Sequence, residues 1–161
     1  MKKGRDMKKE DILVVDGTAD SWEQAIHLAG GTLYENGFVK EGFEQACIDR
    51  EKTYPTGLLM DTSIAIPHTD DQFVIKAGVC ILRLKEPVDF YRMDAPDDIV
   101  STRLVFNLAL PRGSQQISIL QKIIAAVSNT EFTHQCMELE TEDLRKMFVK
   151  YSLCEEVILG S

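Results

Sequence analysis

Apolar residues recur at helical spacing early in the chain. The members of this stripe are Trp22, Ala25, Ile26, Ala29 and Leu33, and their period is that of one buried helix face. Asp20 or Ser21 can cap the start, and Asn36-Gly37 favours an end. His27 lies off the stripe and is expected to be exposed. The pattern therefore predicts an amphipathic helix over residues 22–35.

A second helix is predicted over residues 41–52. Phe43, Ala46 and Cys47 fall on one face of it. The same period brings Arg50 onto that face, one turn beyond Cys47. A guanidinium turned inward needs an anion or a carbonyl as partner, because an unpaired buried charge is costly. The alternative is a structural ion pair, for example with Asp61, or a stem that snorkels to the surface.

The middle of the chain favours strands. Residues 11–15 form a short apolar run, and residues 75–84 and 101–110 form longer runs rich in β-branched side chains. Residues 88–90 begin another strand candidate, and Pro111-Arg112-Gly113 ends the last run.

The C-terminal part returns to helical spacing. Helices are predicted to begin at Ser114, Thr130 and Thr141, and His134 in the second of them has polar neighbours and is expected to be exposed. The core face of the first consists of Ile117, Leu120, Ile124 and Val127. The order of elements predicts an α/β (α+β-like) single domain, with a mixed central β-sheet flanked by helices on both sides.

Composition and charge narrow the class of protein. The chain has 161 residues, 44% of them hydrophobic, which suits one domain with a full core. We place this domain at residues 11–155, between a basic N-terminal tail of residues 1–10 and a C-terminal tail of residues 156–161. With 26 acidic and 18 basic residues the net charge is −8, which argues against nucleic-acid binding.

Several other classes are disfavoured by what the sequence lacks. No apolar run is long enough for a membrane span and no secretory signal is evident, so direct membrane insertion is not expected. The four cysteines are widely spaced, without a zinc-type pair, which favours a reducing cytoplasm. Phosphate-loop, dinucleotide, zinc-protease and serine-hydrolase motifs are missing. No cofactor is predicted.

His68 is the candidate that remains. It follows Ile66 and Pro67, and the residue before a proline is held extended while proline itself offers no N–H to a sheet. His68 is therefore expected where a strand meets a loop, on a stiff backbone. Metal binding with Asp70 and Asp71, general-base catalysis, nucleophilic attack on phosphorus and simple packing remain open as its role.

Nucleophilic attack on phosphorus requires donors for the charged oxygens. The candidates are Arg50 and the hydroxyls of Thr56 and Thr69. No second histidine or cysteine lies near His68 in the sequence, so no metal site is predicted.

Three segments together resemble a known family. Arg50-Glu51, the run Tyr54-Pro55-Thr56-Gly57 and the run from Ile64 to Thr69 (IAIPHT) are similar to the enzyme IIA domain of the fructose–mannitol class. These domains belong to the bacterial phosphoenolpyruvate-dependent sugar phosphotransferase system. The resemblance extends over all but about the first ten residues.

The resemblance implies a phosphotransferase with a phosphohistidine intermediate. His68 would take a phosphoryl group from the phosphocarrier protein HPr and give it to a cysteine of an enzyme IIB. The membrane enzyme IIC would be an indirect partner, and Arg50 would stabilise the phosphate. We expect a shallow depression around His68, with Leu58, Met60 and Phe73 on its apolar rim.

One position departs from many members of the class. They carry a second active-site histidine where Gln116 stands here, and an amide can still donate a hydrogen bond to phosphate or imidazole. The Pro55-Thr56-Gly57 run and the Gln115-Gln116 pair look more like the galactitol-type branch, which implies galactitol or a related polyol. The alternative is a regulatory enzyme IIA-like module whose phosphorylation at His68 controls a transcription regulator or another target.

Overall fold

A mixed sheet covered by helices organises the described part of the chain. The computed structural model describes residues 7–111 and 114–150, with the backbone alone for residues 114–116. Short 3₁₀ turns lie at Lys9–Asp11 and Asp71–Phe73. The strands are β1 (Ile12–Gly17), β2 (Gly57–Leu58), β3 (Ile64–Ala65), β4 (Gly78–Tyr91) and β5 (Ile99–Ala109). The helices are α1 (Trp22–Glu35), α2 (Phe43–Thr53), α3 (Ser114–Val127), α4 (Thr130–Glu138) and α5 (Thr141–Phe148).

The sheet has the strand order β1-β4-β5-β3-β2. β4 pairs antiparallel with β5 at its centre, β1 and β3 join these strands in parallel, and β2 pairs antiparallel with β3. The runs predicted at residues 75–84 and 88–90 are one continuous strand, with a register irregularity between Arg83 and Val88. The predicted mixed sheet is confirmed.

Successive side chains of the sheet pack alternately into two separate hydrophobic cores, one on each face. On one face Cys80, Leu82 and Val105 pack with α1 and α2. On the other face Ile81 and Phe106 pack with α3, α4 and α5. Successive strand residues point to opposite faces, so both faces are buried, and the predicted helices on both sides are confirmed.

The helix boundaries follow local capping chemistry. The Ser21 side chain accepts a hydrogen bond from the Gln24 backbone N–H at 3.2 Å, and Asn36 caps the C-terminal end of α1 before Gly37 at φ 83°. α4 begins in the same way, with the Asn129 side chain accepting from the Phe132 N–H at 3.0 Å. The observed helices confirm those predicted at residues 22–35 and from Thr130 and Thr141.

The N-terminal boundary lies earlier than the sequence suggested. Met7 is buried in the core beneath α3–α5, and Lys9 pairs with Glu142 of α5. The Arg145 guanidinium also donates to the Ile12 carbonyl at 2.8 Å. Residues 7–10 therefore pack against the domain. The predicted boundary after residue 155 lies outside the described residues.

None of the helices in the described ranges is both long enough and apolar enough to span a bilayer.

Candidate functional site

His68 sits where β3 leaves the sheet. β3 runs parallel to β5, with Ile64 beside Leu104 and Ala65 beside Val105, so both strands end at the same edge. Past the end of β3, Asn107 Nδ2 and the Leu108 N–H of β5 each donate to the Pro67 carbonyl at 3.0 Å. The backbone that carries His68 is therefore fixed to the central sheet, as the Pro67 position predicted.

The His68 ring is held through one nitrogen. Nδ1 lies 2.9 Å from the Ile66 carbonyl oxygen, and because a carbonyl can only accept, Nδ1 carries the proton. The other nitrogen, Nε2, therefore keeps its lone pair. Burial lowers the pKa of His68 below 6.5; the Ile66 hydrogen bond opposes this shift, and the charge of Arg50 adds to it. The lowered pKa thus favours the uncharged ring, with the lone pair on Nε2.

Arg50 shares a cavity with His68. Its Nε is buried and has no hydrogen-bond partner among the described residues. Its guanidinium carbon lies 5.1 Å from the centre of the Tyr54 ring, a cation–π distance. The alternative ion pair is not formed, since Asp61 lines a different cavity. A buried guanidinium N–H without a hydrogen-bond partner is suited to bind an anionic ligand.

The cavity around His68 has a volume of about 290 Å³. It is lined by Arg50, His68, Thr69, Asp70, Asp71, Leu110, Ile117 and Leu120. Thr69, one of the predicted phosphate donors, is buried and lines this cavity. Asp70 and Asp71, expected to be loop residues, also belong to this lining.

The apolar rim differs from the prediction. Leu58 and Met60 pack against one core and Phe73 against the other, so these three do not form the rim. Their place is taken by residues that include Ile117, which is 60% exposed instead of lying in the core as its spacing predicted. Periodicity marks the apolar face of α3 at Leu120, Ile124 and Val127 correctly, but it does not show that Ile117 on the same stripe is exposed.

Thr56 lies behind the site and not on the cavity wall. Its hydroxyl donates to the Glu51 carboxylate, whose two oxygens lie 3.0–3.1 Å away. The same hydroxyl accepts a hydrogen bond from the Ile66 N–H at 3.0 Å. With both functions of the hydroxyl used, a direct hydrogen bond from Thr56 to phosphate or imidazole is not formed. The side chain of Gln116, the other predicted donor, lies outside the described residues.

Glu51 and Asn107 are the residues that sequence reasoning missed. Phe43, Cys47 and Glu51 are four residues apart and are the buried positions of α2, so the helix stripe continues to Glu51 while Arg50 is only half-buried at its border. Strict spacing by four would have identified Glu51. Asn107 carried no signal, because one amide within a long apolar run does not stand out.

A larger cavity, of about 490 Å³, is lined by residues at the end of β1 and in β4, together with Arg103 of β5 and Met137 of α4. Its Arg83 is already paired with Asp16 and donates to the Cys136 and Leu139 carbonyls. The Arg83 guanidinium is therefore committed to contacts within the fold, whereas Arg50 Nε has no hydrogen-bond partner among the described residues. Across the described residues no group of three or more histidine, cysteine or acidic side chains is placed to hold a metal ion.

Comparison with known proteins gives a consistent result. The model of the family "Phosphoenolpyruvate-dependent sugar phosphotransferase system, EIIA 2" matches residues 7–150. The mannitol-specific phosphotransferase enzyme IIA component of Geobacillus stearothermophilus is 32% identical over 140 residues, covering 85% of this chain and 90% of its own. The galactitol-specific EIIA component of Escherichia coli K12 is 28% identical over 135 residues, covering 83% and 89%.

A solved structure of an enzyme IIA is also similar to this chain. The mannitol enzyme IIA in complex with phosphorylated mannitol enzyme IIB from Escherichia coli superposes with a TM-score of 0.65 at 28% identity, covering 96% of this chain and 98% of that one. Members of the matched family are phosphotransferase components that carry a phosphoryl group. The chain belongs to the EIIA 2 family of the phosphoenolpyruvate-dependent sugar phosphotransferase system.

Proposed function

We propose that His68 accepts a phosphoryl group from phosphorylated HPr and passes it to a cysteine of an enzyme IIB, in the uptake of galactitol or a related polyol. The observation that carries this proposal is the state of the His68 ring. Nδ1–H is engaged by the Ile66 carbonyl, and Nε2 is left with a lone pair beside an unpartnered arginine donor.

The first transfer needs no external base. The Nε2 lone pair attacks the phosphorus of the donor phosphohistidine, a new Nε2–P bond forms, and the donor's N–P bond breaks with its electron pair returning to that ring. The Nδ1 proton stays on the ring, and the Ile66 carbonyl stabilises the positive charge that the ring gains. In the second transfer a IIB thiolate attacks phosphorus, and the Nε2–P pair returns to His68.

Arg50 favours both the unphosphorylated and the phosphorylated state of His68. Before transfer burial lowers the pKa of His68, and the positive charge of Arg50 adds to this effect, which favours the ring with Nε2 deprotonated. After transfer the same charge, with the buried Thr69 hydroxyl near by, faces a phosphoryl group that carries almost two negative charges. Charge-assisted hydrogen bonds to transferring phosphoryl oxygens are a principal source of catalysis in this chemistry.

The surroundings of the site suit alternate docking of two proteins. Ile117 and Tyr54 beside Arg50 are exposed at 60% and 61%, which offers apolar contact area for a partner. The net charge of −8 would steer a basic face such as that of HPr. The mannitol relative is solved in complex with its phosphorylated IIB, which supports a IIB partner here, with IIC reached indirectly and the cytoplasm as the site of action.

The proposed polyol rests on the relatives and on one run of this sequence. The galactitol-specific and mannitol-specific components cover similar shares of the chain at similar identity. We retain galactitol or a related polyol as the transported class, since the galactitol-type features at Pro55-Thr56-Gly57 favour that branch.

Reconstitution tests the function. The protein is incubated with labelled phosphoenolpyruvate, enzyme I and HPr, and then with a galactitol-type IIB. We expect label on the wild type and on His134→Ala, which alters an exposed histidine of α4, but none on His68→Ala. Full labelling of His68→Ala would refute the site. Labelling of His68 without passage to the IIB cysteine would refute the transport role and favour the regulatory module.

A further inference from the structure

The backbone before His68 is held at two points, one on each side of the Ile66 carbonyl. On the N-terminal side the Ile66 N–H donates to the Thr56 hydroxyl at 3.0 Å. On the C-terminal side the Pro67 carbonyl accepts from Asn107 Nδ2 and from the Leu108 N–H. The carbonyl that receives His68 Nδ1 lies between these two anchors. The second anchor belongs to the sheet, whereas the first depends on side chains alone.

The first anchor is directed by Glu51. The Glu51 carboxylate accepts from the Thr56 backbone N–H at 2.7 Å and lies 3.0–3.1 Å from the Thr56 hydroxyl oxygen. A hydroxyl has one proton, and the ionised Glu51 carboxylate can only accept, so with Glu51 ionised this proton points to Glu51. The oxygen's lone pair is thereby turned to the Ile66 N–H. Without the acid the hydroxyl would be free to rotate.

The placement of Glu51 is costly for stability. Glu51 and Thr56 are 5% and 3% exposed, and no basic side chain among the described residues forms an ion pair with Glu51. Burial raises the pKa of the Glu51 carboxyl to about 7, although both Thr56 donors act in the opposite direction. A buried acid of this kind weakens the fold relative to an apolar residue of similar size. Its presence therefore points to a role other than packing.

We propose that Glu51 and Thr56 are positioning residues for phosphoryl transfer, which act through the Ile66 peptide groups to hold the proton of His68 on Nδ1 and so keep Nε2 as the nucleophile. The inference rests on the proposed function of His68. Neither residue touches the phosphoryl group; both act on the atom that selects the tautomer of the ring.

The matched pair Thr56→Val and Thr56→Ser tests this role. Valine keeps the shape of threonine without the hydroxyl, and serine keeps the hydroxyl. Nitrogen-15 NMR of the His68 ring reports the tautomer directly, and single-turnover labelling from phosphorylated HPr reports the rate. Thr133→Val is the control, since Thr133 is also buried but its hydroxyl bonds within α4, to the Thr130 carbonyl.

We expect a mixture of tautomers in Thr56→Val and a transfer rate reduced by up to about 100-fold, because small misplacement of a reacting group has effects of that order. Thr56→Ser should recover most of the rate and the Nδ1–H tautomer, and Glu51→Gln should move both readouts in the direction of Thr56→Val. Thr133→Val should match the wild type in both.

Two results overturn the proposal. One is a Thr56→Val protein that keeps the Nδ1–H tautomer and the wild-type rate. The other is a wild-type ring that already carries its proton on Nε2, a result that remains decisive if Thr56→Val does not fold. The tautomer is measured without any phosphoryl donor, so absence of labelling in the wild type would refute the proposed function separately from the positioning role.

Discussion

Replacement of Arg50 by alanine separates catalysis from stability. In the proposed mechanism the Arg50 guanidinium, whose Nε is unpartnered among the described residues and which shares a cavity with His68, binds the phosphoryl group. A hydrogen bond to a charged group contributes about 1.5–3 kcal/mol. Since about 1.4 kcal/mol corresponds to a tenfold change in rate, loss of one such bond in the transition state slows transfer by roughly 10- to 150-fold.

The same change has little effect on the fold. The lost contact is the stack on Tyr54, an exposed ring, at about 0.5–1 kcal/mol. Removal of a buried donor without a partner offsets this loss. We therefore expect the free energy of unfolding of Arg50→Ala to fall by no more than about 1 kcal/mol.

Single-turnover labelling by saturating phosphorylated HPr measures the rate, and urea unfolding measures the stability. Arg50→Lys, which keeps the charge and loses the planar fork, should lie between alanine and wild type. Arg92→Ala is the control, because the Arg92 guanidinium pairs with Asp94 and does not line the cavity of His68. A wild-type rate in Arg50→Ala, or collapse of its fold, would refute the reasoning.

Three further predictions concern titration and packing. The acid limb of the pH–rate profile for His68 labelling should lie below pH 6.5, since the folded pKa is lowered; a limb at or above 6.5 would contradict the environment described. Glu51 has a folded pKa of about 7 against 4.5 unfolded, so its contribution to stability is present below pH 4.5 and is lost as pH rises to 7. Urea titrations should show this loss in the wild type and not in Glu51→Gln; equal pH dependence of the two would exclude it. Gly31→Ala should stabilise α1 by up to about 1 kcal/mol. Gly30→Ala should stabilise it less or destabilise it, because the added Cβ would lie 2.8 Å from Glu44 Cγ. Thermal melts in which Gly30→Ala is the more stable of the two variants would contradict this.

Periodicity predicted the helices because each packs one face on the sheet. The α1 stripe from Trp22 to Leu33 faces a single core, so spacing alone sufficed for it. The Gly30-Gly31 pair had no explanation in the sequence, and the fold supplies one, the close approach of Glu44 from α2. Such contacts between elements distant in sequence leave no local pattern.

The residues at the centre of the candidate site could be predicted from the sequence, but the hydrogen bonds that hold the backbone behind them could not. His68 and Arg50 are unusual residues at structured positions, and each stood out from its neighbours. The role of Thr56 was not predictable, because its hydroxyl is directed by Glu51 and received by Ile66, ten residues further on. The two-residue strands β2 and β3 that bring these groups together are too short for a periodic signal.

The most direct test of the central claim is to locate the phosphoryl group on the labelled protein. Phosphorus-31 and nitrogen-15 NMR of the protein phosphorylated by HPr identify both the residue and the ring atom. The Nδ1–H bond to Ile66 predicts a phosphoryl group on His68 Nε2, with the proton retained on Nδ1. Phosphate on Nδ1, on another residue, or on no residue would contradict the account.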